Sequence, residues 1–145
     1  MDRPCFFYVK QGDSSFRGDY ALLLKGNVPK PQYHVAKIFN GLSGKWLKVT
    51  GEDGEVSCVA ARDERDGRIT IVLVNFTDRY NLRRHVRVSI PGAPRCRAVE
   101  HRIDATHSNV FNDATRSELE KVREEVFPAG DIRYDATLPP HAVAR

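Results

Sequence analysis

The stretch from Phe16 to Leu42, FRGDYALLLKGNVPKPQYHVAKIFNGL, confines the chain to a strand, a tight turn and a docking helix. Ala21 to Leu24 is a short continuous apolar run, the pattern of a strand covered on both faces. Gly26-Asn27 is turn chemistry, because both residues tolerate positive φ. Pro31 suits the first turn of a helix, where its missing amide has no intrahelical partner to lose. Val35, Ile38, Phe39 and Leu42 follow at i, i+3, i+4 and i+7, one stripe of a helix, and Gly41 and Gly44 bracket its end. A strand with a docking helix is half of an α/β repeat. No second such repeat follows, so the unit reads as the last piece of something larger.

Beyond Gly44 the period of the apolar residues changes to two. Lys45 to Thr50 and Glu55 to Arg62 read as strands on either side of Gly51-Glu52-Asp53-Gly54. Val56, Cys58 and Ala60 share one face of the second. Asp66-Gly67 is a hairpin signal ahead of Arg68 to Phe76, RITIVLVNF, which reads as a central strand. Arg84 to Ile90 alternates with Val86, Val88 and Ile90 inward, and Pro91-Gly92-Ala93-Pro94 is expected to break it. Arg95 to Ile103 alternates again, with Val99, His101 and Ile103 on one side. Thr115-Arg116-Ser117-Glu118 has the form of a capping box, and Leu119, Val122 and Val126 then give a narrow stripe, predicting one surface helix ended by Pro128 and Gly130. Tyr134 to Leu138 and Ala142 to Ala144 supply the closing strand or strands. The expected class is mainly β, an antiparallel β-sandwich with an N-terminal strand-helix unit and one surface helix.

Three phrases resemble glycoside hydrolase family 39, the β-xylosidase and α-L-iduronidase family. Phe16, Gly18, Tyr20, Leu22, Leu23, Pro29, Lys30, Pro31, Tyr33, Phe39, Asn40 and Leu42 match the end of its catalytic barrel. His101-Arg102-Ile103-Asp104 with Thr106-His107-Ser108-Asn109 is similar to a phrase in its C-terminal β-sandwich. Leu138-Pro139-Pro140-His141-Ala142-Val143 is similar to the lead-in to that sandwich's closing strand. All three occur in the family's order. The resemblance implies that residues 1–44 are the last β/α unit of a (β/α)8 barrel and residues 45–145 the C-terminal β-sandwich. It also implies that the family's acid/base and nucleophile glutamates belong to earlier barrel strands, which have no counterpart here.

The chemistry legible in the residues is sparse. A retaining glycosidase needs two carboxyl groups about 5–5.5 Å apart. Here the acidic residues fall in turns (Glu52, Asp53, Glu64, Asp66) or on the expected helix face (Glu118, Glu120, Glu124, Glu125), positions that suit solvated charge. No catalytic residue is assigned. If Phe6 to Val9 is the final barrel strand, Lys10, Gln11 and Asp13 would border the sugar pocket of a completed barrel, because barrel active sites lie at the C-terminal ends of the strands. Asp104, His107 and Asn109 read as a structural loop. A metal set of His101, Asp104 and His107 lacks a fourth ligand, so neither metal nor cofactor is expected.

With 145 residues the chain has the length of one domain, able to bury about 68–70% of its unfolded surface. Its 41% hydrophobic and 29% charged residues are those of an ordinary globular protein. No apolar run approaches the ~20 residues of a membrane helix, and MDRPCFFYVKQGD lacks the pattern of a secretory signal, so a cytoplasmic location is expected. Cys5, Cys58 and Cys96 sit in strand-like runs and read as reduced thiols. The formal charge of +4 is mild. Arg79, Arg83, Arg84, Arg87, Arg95 and Arg97 could line two neighbouring strands as a basic stripe, without the interleaved aromatics of a nucleic-acid site, and nucleic acid is not an expected partner. The expected partner is a catalytic barrel in cis or in trans, or a second copy meeting open strand edges and the helix stripe. Two other classes stay open: a free-standing carbohydrate-binding or scaffold sandwich, in which Trp46, Tyr80 and Tyr134 would have to bind sugar, and a basic interaction module.

Overall fold

In the computed structural model, residues 21–51, 54–76 and 82–145 are described in full and residues 8–10 by their backbone. Strands β1 (Tyr8–Lys10) and β2 (Ala21–Leu24) run parallel, with Tyr8 opposite Ala21 and Lys10 opposite Leu23. The expected strand over Phe6 to Val9 therefore sits later in sequence as far as it is described; Phe6 and Phe7 lie outside the described residues. The short β3 (Val28–Pro29) returns antiparallel to β2 through a turn in which Gly26 and Asn27 have φ of 80° and 64°. Helix α1 (Pro31–Asn40) follows, with proline in its first turn.

The remaining strands form two facing sheets. One has six strands in the order β4 (Lys45–Trp46), β5 (Val56–Arg62), β6 (Ile69–Asn75), β11 (Ala142–Ala144), β8 (Cys96–Ile103) and β9 (Glu120–Phe127). The other pairs β10 (Gly130–Leu138) with β7 (Arg84–Ala93). Every pairing in both is antiparallel, which makes the fold a β-sandwich, with α1 the one helix among the described residues.

The period-two alternation explains the layering, since successive residues of β6 face opposite sides. Val72 joins Val143 of β11, Ile103 of β8 and Ile38 of α1 in one core, against which Val35, Phe39 and Leu42 also pack. Leu73 joins Leu138, Ala142 and Ala144 in a second core between the sheets, packed by Val56, Cys58, Ile71, Val86 and Val88. The helix stripe is thus covered by the six-stranded sheet, and β2 has a neighbour on either side. At the junction between α1 and β4 only glycine fits: Gly44 has φ 87°, and a Cβ there would lie 2.1 Å from the carbonyl oxygen of Arg62.

Several expectations are corrected. The surface helix after Thr115 does not form, and its residues become β9, the outer strand beside β8. Thr115 donates its hydroxyl to Asp113 Oδ1 (2.7 Å) instead of capping a helix. The charged and apolar residues of Glu120–Phe127 satisfy a strand once β8 is there to pair with, and a register shift between Glu100 and His101 accommodates the pattern. Pro91-Gly92 does not end β7, which runs on to Ala93. Proline is tolerated there because the ladder is irregular between Gly130 and Ile132 and Pro91 has no register partner. Gly92 adopts φ 61° and donates its amide to Asp131 (2.9 Å). The strand expected over Lys45 to Thr50 is ladder-paired at Lys45 and Trp46 alone. The final three-residue strand does not close an edge; it lies between β6 and β8 at the centre of the sheet.

Candidate functional site

The parallel pair β1 and β2 with α1 is the part of the chain that resembles a barrel unit, and the candidate sugar rim lies at the end of β1. Lys10 is the last residue of β1; Gln11 and Asp13 lie outside the described residues. α1 is fixed to the sandwich from both sides. Its stripe enters the core, and the buried His34 places Nε2 2.9 Å from the carbonyl oxygen of Ser117. Burial lowers the pKa of His34 against the opposing pull of that carbonyl, so the neutral imidazole is the stable form.

The Asp104 loop joins β8 to the turns before β9, not a sheet to a helix. Asp104 is buried, and its Oδ1 accepts hydrogen bonds from the amides of Thr106 (2.7 Å) and His107 (2.9 Å) and from the Thr106 hydroxyl (2.9 Å). His107 Nδ1 lies 3.0 Å away, and Asn109 Nδ2 donates to the backbone carbonyl of Asp104 (3.1 Å). Ser108, buried at φ 51°, exchanges hydrogen bonds with Glu120: its amide to Glu120 Oε1 (2.7 Å), and the Glu120 amide to its hydroxyl (2.8 Å). These short polar side chains shape a turn locally. His101 stays on β8, and no group of three or more metal-ligating residues occurs among the described residues.

Burial raises the pKa of Asp104, and the hydrogen bonds from Thr106 and His107 outweigh it, so the net shift is downward. A carboxyl with a depressed folded pKa adds stability that is complete above its unfolded value near 3.9 and is lost as pH falls through the folded value. Asp104→Ala is expected to cost about 1–3 kcal/mol at neutral pH. In urea unfolding from pH 7 to pH 2, the gap between wild type and variant should narrow below pH ~4. A gap that stays constant down to pH 2 would contradict this role.

A second polar cluster was not legible in the sequence. Glu100 and Arg102 on β8 point into the space between the sheets, where charge is rare unless paired. Glu100 accepts from the Arg102 guanidinium and, at 2.5 Å, from the Tyr134 hydroxyl of β10. Arg102 also donates to the carbonyl of Thr137 (2.7 Å), and the Arg123 guanidinium lies 4.6 Å above the Tyr134 ring. Burial and the Glu100 carboxylate both raise the Tyr134 pKa, so the phenol stays protonated. Tyr134 is therefore committed to packing rather than offered to a sugar; Tyr80 lies outside the described residues, and Trp46 stands half-exposed on β4.

Four other carboxylates among the described residues, Asp63, Asp113, Glu124 and Asp135, are held as structural ions. Arg65 binds Asp63 through its side chain and amide, Thr115 binds Asp113, Lys121 binds Glu124 and Arg87 binds Asp135, and each contact lowers the carboxyl's pKa. A general acid needs the opposite shift. The arginine stripe also dissolves: β7 and β8 belong to different sheets, Arg84 pairs with Glu55, Arg87 with Asp135 and Arg97 with Glu124, while Arg79 lies outside the described residues. Cys58 and Cys96 are half-buried thiols on β5 and β8, and Cys5 lies outside the described residues. Between β7 and the β5–β6 half of the large sheet lies an open groove of about 500 Å³.

No family model matches the chain. Its sequence is 26% identical over 162 aligned residues to a β-xylosidase of Caldicellulosiruptor saccharolyticus, covering 92% of this chain and 32% of that protein. It is related to the glycoside hydrolases. The fold is that of one part of a monomeric β-xylosidase from Caulobacter crescentus CB15, with a TM-score of 0.69, 16% identity, and coverage of 92% of this chain and 33% of that one. A bifunctional glucanase-xylanase from a metagenome library matches at a TM-score of 0.55 and 16% identity, over 81% of this chain and 22% of its own. The chain thus spans about a third of the β-xylosidases it matches.

Proposed function

We propose that this chain is the non-catalytic C-terminal portion of a family 39-like glycoside hydrolase. Residues 1–44 form the last β/α unit of its (β/α)8 barrel and residues 45–145 the sandwich that supports the barrel. In the complete enzyme the barrel, in cis or in trans, hydrolyses O-glycosidic bonds in carbohydrate metabolism. Lys10, the last residue of β1, would stand at the rim of its sugar pocket. The observation that carries the reading is α1: it follows a parallel strand pair, as a barrel helix does, and shares a core with the sandwich. The alignment of 92% of this chain with about a third of a β-xylosidase supports its being a portion of such an enzyme.

Among the described residues, the carboxylates whose pKa departs from the ordinary value (Asp63, Asp104, Asp113, Glu124 and Asp135) depart downward, the direction opposite to that of a general acid. The purified chain is expected to hydrolyse no aryl xyloside or aryl iduronide above background. Turnover that disappears on mutation of one acidic residue of this chain would overturn the proposal.

A further inference from the structure

Helix α1 meets the sandwich through its apolar stripe and through one buried imidazole. His34 is 1% exposed, and its Nε2 lies 2.9 Å from the carbonyl oxygen of Ser117, 83 residues further along the chain. A carbonyl can only accept, so Nε2 carries the hydrogen and Nδ1 keeps a lone pair. That Nδ1 is buried and has no hydrogen-bond partner among the described residues. Ser117 belongs to no strand. It lies in the turns that lead into β9, two residues before Leu119, which packs against the core of Ile38 and Val72.

We propose that His34 is a proton-operated latch: neutral, it ties α1 to the segment before β9, and protonated at Nδ1, it swings out and frees that segment while the two sheets stay paired. The proton passes from solvent to the Nδ1 lone pair. The new N–H finds no acceptor in place, whereas a released ring gives it water. The surroundings do not reverse this. Burial is the largest influence and disfavours the cation, the Ser117 carbonyl and Glu118 favour it, and Lys37 opposes it, with a net downward shift. β2 and β3, which pack against α1, bring no titratable side chain. The face of β8 that carries Ile103 brings His101, whose own pKa is lowered by burial, Arg145 and Lys121. Lys30 is buried at the start of the helix, and Tyr33 meets the imidazole edge-on at 5.7 Å between ring centres. On the freed segment His107 is bonded to Asp104, and Arg116 to Asp113 and Glu120. Because the folded pKa lies below the released one, the latch holds fully above the ordinary histidine value of about 6.5 and weakens as pH falls toward the folded value. At pH 5 a released imidazole is protonated about 30 to 1, so the free state gains at most about 30-fold. The latch acts between the strand-helix unit and the sandwich, whatever either does in a larger protein.

Nitrogen NMR of the imidazoles and amide hydrogen exchange, corrected for the intrinsic pH dependence of exchange, test this on the intact chain at pH 7.5 and pH 5. At the higher pH the His34 ring is expected to be neutral with its hydrogen on Nε2, and it should titrate with a midpoint below about 6.5. The amides of Arg116 and Glu120, bonded to the Asp113 carbonyl and the Ser108 hydroxyl on either side of Ser117, should lose protection about tenfold at pH 5. Those of β6 should keep theirs. Asp104 and Asp113 have lowered pKa values, so both stay ionised at pH 5 and leave the change to histidine. His34→Gln keeps a donor for the Ser117 carbonyl and cannot titrate, so its protection should be the same at both pH values. His101→Gln and His107→Gln should still show the loss. If His34→Gln does not fold, the ring titration and the exchange of the wild type decide. A hydrogen on Nδ1, a midpoint at or above the ordinary histidine value, or equal protection at both pH values would overturn the latch. So would a loss shared in full by β6, or one that persists in His34→Gln.

Discussion

Replacing Glu100 with alanine is expected to destabilise the protein by about 3–5 kcal/mol, because it strands a buried cation. Arg102 is close to buried, and its Nε already has no partner. Without Glu100 its guanidinium keeps the Thr137 carbonyl as a neutral acceptor, and the Tyr134 hydroxyl loses its acceptor altogether. The pair itself need not be a large net source of stability, since desolvating both ions offsets much of their attraction. The informative comparison is therefore with Glu100→Leu/Arg102→Met/Tyr134→Phe, which removes the three hydrogen-bonded side chains at once. That triple variant is expected to recover most of the loss. Urea unfolding of the set decides it: a cost for Glu100→Ala below about 1 kcal/mol would show the cluster to be solvated in solution.

The second large effect is expected at Asn75, which is fully buried on β6. Its Nδ2 donates to the carbonyls of Pro139 (2.8 Å), Leu138 (3.1 Å) and Leu82 (3.2 Å). Those contacts clamp the turn that delivers β11 between β6 and β8, where Ala142 pairs opposite Asn75 itself. Alanine would leave buried carbonyls unsatisfied and the turn untethered, a cost of about 3 kcal/mol. In a chain of this length that corresponds to a fall in Tm of roughly 10 °C. Aspartate should be worse, since it turns donors into an anion facing carbonyl oxygens. Calorimetry that finds Asn75→Asp as stable as wild type would remove the clamp from the account.

What was legible in the chain was what neighbouring residues decide. Pro31 and the stripe from Val35 to Leu42 mark α1, and the alternation of Val86, Val88 and Ile90 marks the inner face of β7. What depends on a distant partner was not. Leu119, Val122 and Val126 fit a helical stripe by spacing alone, and only pairing with β8 makes Glu120–Phe127 a strand. The three residues of β11 carry no local sign that two strands will close around them. Glu100 and Arg102 look like the outward half of an alternating strand, yet they point inward because each supplies the other's counter-charge. The Asp104 loop was recognisable from its short polar residues, although the element that it leads into was not.

The central claim, that this chain supplies the barrel-supporting third of a glycosidase, is tested most directly by a chimera. The third of the Caldicellulosiruptor β-xylosidase that aligns with this chain is replaced by residues 1–145, and hydrolysis of an aryl xyloside is measured beside the enzyme truncated of that third. The chimera is expected to be folded and to hydrolyse the xyloside, while the truncated barrel is inactive or insoluble. A chimera no more active or soluble than the truncation, with the intact relative active in the same assay, would contradict the account.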